Sequence, residues 1–152
     1  MCLTIRQATL EDADRIVLFN QAMARETEGR ILDRATLREG VRAILEEPER
    51  GRYYVAETED EGEIVGQLAV TTEWSDWRNG TIWWIQNVYV AKSHRRRGVY
   101  RQLHFHVRDM ARASRVRGLR LYVEHDNEAA QVTYESLGMS RSPYDMFEEF
   151  WP

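Results

Sequence analysis

The stretch Val88-Tyr89-Val90-Ala91-Lys92-Ser93-His94-Arg95-Arg96-Arg97-Gly98-Val99-Tyr100-Arg101-Gln102-Leu103 decides how this chain reads. β-prone residues lead into a short basic turn, and the turn opens a helix predicted over about 99–114, with Leu103, Val107, Met110 and Ala111 as its apolar face. A helix start leaves backbone N–H groups unpaired and carries partial positive charge, which favours an anion such as phosphate. Gly98 lets the backbone approach a ligand closely, and Arg95, Arg96, Arg97 and Arg101 add charged donors.

The charge distribution agrees. The 152-residue chain has a net charge of −4, yet the block Lys92–Arg120 holds ten basic residues and one acid, a local +9. Lys92 is the one lysine. A basic block in an acidic protein calls for an anionic partner rather than a general nucleic-acid surface. With 43% apolar and 30% charged residues, the composition is that of a globular protein, and the length suits a single domain over residues 1–152. No apolar run reaches the ~20 residues a membrane helix needs. The first residues lack the build of a signal peptide, so a cytoplasmic location is expected, with neither nucleic acid nor membrane as partner. The lone Cys2 makes no internal disulfide, and His104 and His106, two apart on a helix, do not form a metal pair; no metal site is expected.

Outward from the basic turn, the periodicity gives the remaining elements. Leu3–Arg6 alternates as a strand. Thr9-Leu10-Glu11-Asp12 resembles a capping box ahead of a helix whose face is Leu10, Ala13, Ile16, Val17, Asn20, Met23 and Ala24, with Gly29 as its stop. Asp33 caps a second helix bearing Leu37, Val41, Ile44 and Leu45, and Pro48 lies beyond it. Tyr53–Glu57 and Ile64–Thr72 read as a hairpin, and Thr81–Val90 as a third strand of a meander. Leu119–Glu124 reads as a strand and Asn127 as the cap of a last helix stopped at Gly138. Tyr144–Phe150 reads as a final strand. The order β-α-α-β-β-β-α-β-α-β predicts an α/β (mixed α+β) architecture with helices on both faces of one sheet.

In the pattern Arg95-x-x-Gly98 after a strand and before a helix, the chain resembles the GNAT superfamily of N-acetyltransferases, whose acyl-CoA pyrophosphate loop reads Arg/Gln-x-x-Gly-x-Gly/Ala. Tyr100 departs from the sixth position, and Arg96 stands where many relatives have Gly. The resemblance covers essentially the whole chain, including Asn127, Tyr134, Leu137-Gly138-Met139 and the tail Tyr144-Asp145-Met146-Phe147. It implies acetyl transfer from acetyl-CoA to a primary amine, both substrates being bound together and the amine attacking directly. Val88, Tyr89, Val90, Arg95, Arg96, Arg97, Gly98, Val99, Tyr100, Arg101, Asn127 and Tyr134 would bind the cofactor. The backbone N–H near Val88 would polarise the thioester carbonyl, and Tyr134 would protonate the leaving thiolate.

Some relatives carry a basic carboxylate where this chain has Gln86-Asn87, and neither of these can take a proton. Glu73 and Glu124, at strand ends, are the candidate bases, with His125 a weaker one. Four of the five tryptophans lie between Trp74 and Trp84, beside Glu73 and Asp76. Aromatic faces with acids suit an organic cation, so Trp74, Asp76 and Trp77, with Glu26 and Glu28, are the candidate acceptor residues. A loose likeness to diamine acetyltransferases points to a polyamine or amino-acid-like acceptor; protein N-termini and aminoglycosides stay open. A non-catalytic CoA-binding module is the competing reading. The family and the apolar tail also suggest a homodimer.

Overall fold

Strand β1 (Leu3–Gln7) pairs antiparallel with β2 (Arg52–Thr58), β2 with β3 (Ile64–Ser75), and β3 with β4 (Gly80–Val90). The short β5 (Gly118–Arg120) joins β4 in parallel, giving a five-stranded mixed sheet in chain order. Short loops allow the antiparallel meander, whereas the parallel step needs a crossover, which α3 (Val99–Ala113) supplies. The computed structural model describes residues 1–152. They form two compact units, Met1–Leu121 and Tyr122–Pro152.

Helices α1 (Ala13–Glu28) and α2 (Arg34–Glu46) cover one face of the sheet, and α3 covers the other. Successive strand residues point to opposite faces, and β2 shows the split. Tyr53 and Val55 pack with Ile16, Val17 and Val41, while Tyr54 and Ala56 pack with Leu103 and Val107. Val99, Leu103, Val107 and Ala111 fall every fourth residue along the buried stripe of α3. Each Val or Leu so buried contributes about 1.5–3 kcal/mol. Met110 lies off this stripe and is 39% exposed, which corrects its expected place on the apolar face. Gly66 sets how closely α3 lies on the sheet, because a Cβ there would meet Val99 Cγ1 at 2.7 Å.

The start of α1 is fixed from the sheet. Asp12 accepts the Thr9 N–H at 2.8 Å and pairs with Arg6 of β1 at 2.8 Å, and Arg6 also reaches Glu57 of β2 at 2.7 Å. The Arg6 guanidinium holds the Asp12 carboxyl below its usual range.

In the second unit, α4 (Glu128–Ser136) starts at Asn127, whose Oδ1 accepts the Ala130 N–H at 3.2 Å. It ends as expected at Gly138, where the Gly138 and Met139 N–H groups return to the carbonyls of Glu135 and Tyr134. Two expected strands are corrected. Leu119–Glu124 is strand only through Arg120, and Tyr144–Phe150 forms none. A strand exists through its ladder partner, and the tail pairs with none; Phe147, Phe150 and Trp151 are 96%, 83% and 79% exposed.

Candidate active site

The basic turn keeps the geometry its sequence implied. Lys92–His94 makes a single 3-10 turn after β4, and α3 begins at Gly98. Gly98 takes φ +80°, with nothing within 4 Å of where a Cβ would stand, and no side chain caps the helix start. Arg96 is also left-handed, at φ 61°, and Arg96, Arg97 and Arg101 are exposed. Uncapped N–H groups, an open glycine and exposed arginines, Arg101 lying over the Phe105 ring, form a donor set that fits a polyphosphate. The phosphate end of acetyl-CoA has the charge and the oxygens such a donor set would take.

Arg95 is placed differently. Its Nε donates to the Val90 carbonyl at 2.9 Å and its Nη2 to Glu26 at 2.7 Å. Glu26 also accepts from the Tyr89 hydroxyl at 3.1 Å, and the Lys92 ammonium stands 3.4 Å away. Burial works against the Glu26 carboxylate, but Arg95, Tyr89 and Lys92 together hold its pKa below the usual value. The structure therefore joins a residue expected at the acceptor side, the end of α1, to the first residue of the basic loop. Tyr89 itself packs on Phe19, with ring centroids 5.0 Å apart.

Tyr100, the departure from the family pattern, stays out of the loop. Its hydroxyl lies 3.0 Å from His104 Nδ1, one turn along α3. Val99 is buried beneath the turn.

Strand β4 is broken before the turn. Gln67 pairs with Tyr89 and Ala69 with Gln86, so Leu68 alone spans Asn87 and Val88. This is a β-bulge, and Asn87 adopts φ 52° within it. Four polar side chains meet there: Asn20, Tyr53, Gln67 and Asn87. By periodicity Asn20 falls on the apolar face of helix one, and periodicity alone does not single out Gln67. A glutamine inside Ile64-Val65-Gly66-Gln67-Leu68-Ala69-Val70 was the available signal.

Of the candidate bases, Glu73 is engaged. Trp84 Nε1 donates to it at 2.7 Å and Arg120 reaches both of its oxygens, at 3.0 and 3.1 Å. The Trp84 hydrogen bond, then Arg120, hold its carboxyl below the usual range. Glu124 and His125 are exposed, and their carbonyls accept from Gln131 Nε2 at 3.1 and 2.9 Å. Burial pushes the Tyr134 phenol above its usual pKa. Trp74 and Trp77 are 64% and 90% exposed at the β3–β4 turn. There Asp76 accepts the Trp77 N–H at 2.9 Å. Trp83 is core, packed on the α3 face. Glu28 pairs loosely with Arg30 at 3.8 Å. No group of three or more His, Cys, Asp or Glu is gathered to hold a metal, and no helix is long and apolar enough to cross a membrane.

The five-stranded mixed sheet with its helices agrees with the family comparison. The model of the acetyltransferase (GNAT) family matches residues 15–139. The chain belongs to the GNAT acetyltransferase family. A possible acetyltransferase from Clostridium difficile 630 is 40% identical, with TM-score 0.90, covering 100% of this chain and 99% of that one. A probable acetyltransferase is 28% identical, with TM-score 0.83, covering 98% and 97%. An aminoglycoside acetyltransferase from an uncultured soil metagenomic sample shares the fold at 20% identity and TM-score 0.75, covering 99% and 100%. No curated protein matches the chain. As a GNAT member the protein is an N-acetyltransferase.

Proposed function

We propose that this GNAT acetyltransferase moves an acetyl group from acetyl-CoA to a primary amine of a small cationic acceptor, polyamine-like or amino-acid-like. The observation that carries the cofactor assignment is the open, uncapped start of α3 at Gly98, flanked by exposed Arg96 and Arg97. Backbone N–H groups of Gly98, Val99 and Tyr100 would hold the phosphates, with Arg96, Arg97 and Arg101 adding charge. Val88, Tyr89 and Val90 would offer backbone groups to the pantetheine arm, with Asn127 alongside, by family resemblance.

Acetyl-CoA supplies the activated acetyl group as a thioester. In this proposal the Val88 N–H donates toward the thioester oxygen, and the bulge at Asn87–Val88, outside the ladder register, supports that role. Tyr134 supplies the proton to the departing sulfur; its raised pKa keeps the phenol protonated at neutral pH. Glu124 or Glu73 takes the proton of the acceptor amine. The Trp84 and Arg120 contacts weaken Glu73 as a base, which favours Glu124.

Exposed Trp74 and Trp77 with Asp76, and the exposed Glu28 at the end of α1, support a cationic acceptor; Glu26, whose carboxylate is held by Arg95, Lys92 and Tyr89, does not. The whole of residues 1–152 acts as one catalytic domain in this reading, since the family match runs through both compact units. The exposed apolar side chains of the tail support a homodimer. Sedimentation at twice 18.0 kDa is then expected, and a clean monomer would remove the dimer. A cytoplasmic location, where acetyl-CoA is at hand, belongs to the same proposal.

The experiment is a thermal shift with acetyl-CoA, CoA and ATP, followed by thiol release with an amine panel. Saturating acetyl-CoA at a hundred times its Kd adds about 2.7 kcal/mol. A rise with acetyl-CoA and CoA but not ATP is expected, then thiol release with polyamines or basic amino acids. No rise overturns the cofactor site; a rise without thiol release leaves a binding module only.

A further inference from the structure

The four polar side chains beneath the β4 bulge form a closed network. Gln67 Nε2 donates to the Asn87 carbonyl at 3.1 Å and to Asn20 Oδ1 at 2.9 Å. Asn20 Nδ2 and Asn87 Nδ2 both donate to the Tyr53 hydroxyl oxygen, each at 3.0 Å. The residues come from α1, β2, β3 and β4, so one network ties four elements to one point. Gln67, Tyr53 and Asn20 are 0%, 2% and 4% exposed.

Such a network is a poor source of stability. Buried polar groups cost free energy unless every donor and acceptor is met, and apolar side chains of the same volume would do as well or better. The cost is visible here, because Gln67 Oε1 is buried without a partner. A bulge disrupts the ladder locally, and the Gln67 side chain supplies a donor to the Asn87 carbonyl there. Asn87 meanwhile sits at φ 52°, a conformation Asn tolerates better than most residues, and Tyr53 anchors its side chain.

We infer that Asn20, Tyr53 and Gln67 are positioning residues for acetyl transfer: they hold the Asn87 bulge, and through it the Val88 N–H, in a single conformation. The inference rests on the reading of Val88 given above and names the residues that make it work. They touch neither substrate; they act through the backbone of Asn87 and Val88. Because a misplacement of about 1 Å at a reacting centre costs on the order of a hundredfold in rate, a loosened bulge lowers turnover without removing the cofactor site.

Two variants test it. Gln67→Met keeps the volume and removes both donated bonds, whereas Tyr53→Phe removes one oxygen and with it the two bonds that oxygen accepts. In the ligand-free protein, amide hydrogen exchange at Asn87, Val88 and Tyr89 is expected to speed up about tenfold or more relative to β2–β3 amides remote from the bulge. In turnover, kcat is expected to fall about tenfold to a hundredfold, and by more than the Kd of acetyl-CoA rises, because the phosphate end at the start of α3 is untouched. Gln67→Glu keeps the shape but offers at most one donor, the O–H of its protonated form, in place of two, and should not restore wild-type kcat. Unchanged exchange at Val88 with wild-type kcat in folded variants overturns the inference. So does a kcat loss that tracks a uniform rise in exchange across the sheet, which is the mark of a merely structural role. If the wild-type protein releases no thiol with any amine, the functional reading fails, and exchange at Val88 alone still reports whether the network holds the bulge.

Discussion

Tyr100 and His104 are bonded side chain to side chain within α3, hydroxyl to Nδ1 at 3.0 Å, and Arg108 closes the series at 3.1 Å from His104 Nε2. A guanidinium only donates, so Nε2 is the acceptor and Nδ1 carries the hydrogen toward Tyr100. The imidazole is therefore neutral. Burial, and then the Arg108 charge, push its pKa down to about 4. This ladder explains how a tyrosine occupies the position where relatives have Gly or Ala: its ring is committed along the helix, away from the loop.

A pH dependence follows, with a definite sign. The unfolded chain binds a proton at His104 near pH 6.5, and the folded protein only near pH 4. Between those values the unfolded state holds more protons, so stability rises with pH there. The contribution is complete above pH 6.5 and is lost as pH falls toward 4, to a limit of roughly 3 kcal/mol. Urea unfolding of the wild type and of His104→Gln across pH 4–8 checks this. The wild-type curve should be the steeper of the two in that window.

Gly98 separates backbone strain from ligand repulsion. A Cβ there meets nothing within 4 Å, yet φ is +80°. Gly98→Ala should therefore cost about 1 kcal/mol through conformation alone. Gly98→Asp adds a negative charge where phosphates are proposed to bind and should abolish the acetyl-CoA thermal shift. Normal binding by Gly98→Asp would move the phosphate site elsewhere.

Glu26 competes for the cations of the same loop. With its carboxylate on Arg95 and Lys92, two of the loop's positive charges are partly neutralised. Glu26→Gln should tighten acetyl-CoA binding severalfold at low salt and less at high salt, since exposed charges are screened within about 10 Å at 0.1 M. Calorimetry at two salt concentrations checks the direction. Weaker binding instead would mean that Arg95 needs Glu26 to hold it in place.

Much of this was legible in the sequence, for physical reasons that name its limits. Helix starts and stops are local, so Asp33 accepting the Thr36 N–H, Gly29 at φ 62° and the Gly138 stop all appear where their residue types place them. The order of the elements likewise predicts helices on both faces of one sheet. The tail was not legible, because Tyr144–Phe150 has the composition of a strand and a strand also requires a partner, which no local pattern supplies. The Arg95–Glu26 pair spans 69 positions and the Gln67–Asn20 bond 47; contacts at that range are invisible to periodicity. Gln67 reads as an interruption in an apolar run until the bulge beside it is seen.

Tyr134→Phe removes the proposed proton donor and little volume. Turnover should fall by about a hundredfold while the Kd of acetyl-CoA changes less than about twofold. Thiol release and calorimetry on one preparation check the split. Loss of binding with turnover per bound complex preserved would assign the phenol to cofactor binding instead of proton transfer.

Glu73 and Glu124 separate by what already holds them. Glu73 accepts from Trp84 and Arg120, and its carboxyl lies below the usual range, so it is ionised across the working pH and gains little by taking a proton. Removing its charge leaves Arg120 without its partner. Glu73→Gln should therefore act on KM for the amine and on thermal stability, with kcat within a few-fold. Glu124 faces solvent. Glu124→Gln should lower kcat about tenfold or more and alter the acidic limb of the pH profile, because a base that no longer titrates leaves only the amine's own ionisation to shape it. Profiles of kcat and kcat/KM from pH 5 to 9 for both variants decide the matter. The reverse pattern would make Glu73 the base despite its partners, and two unchanged profiles would assign the proton to neither carboxylate.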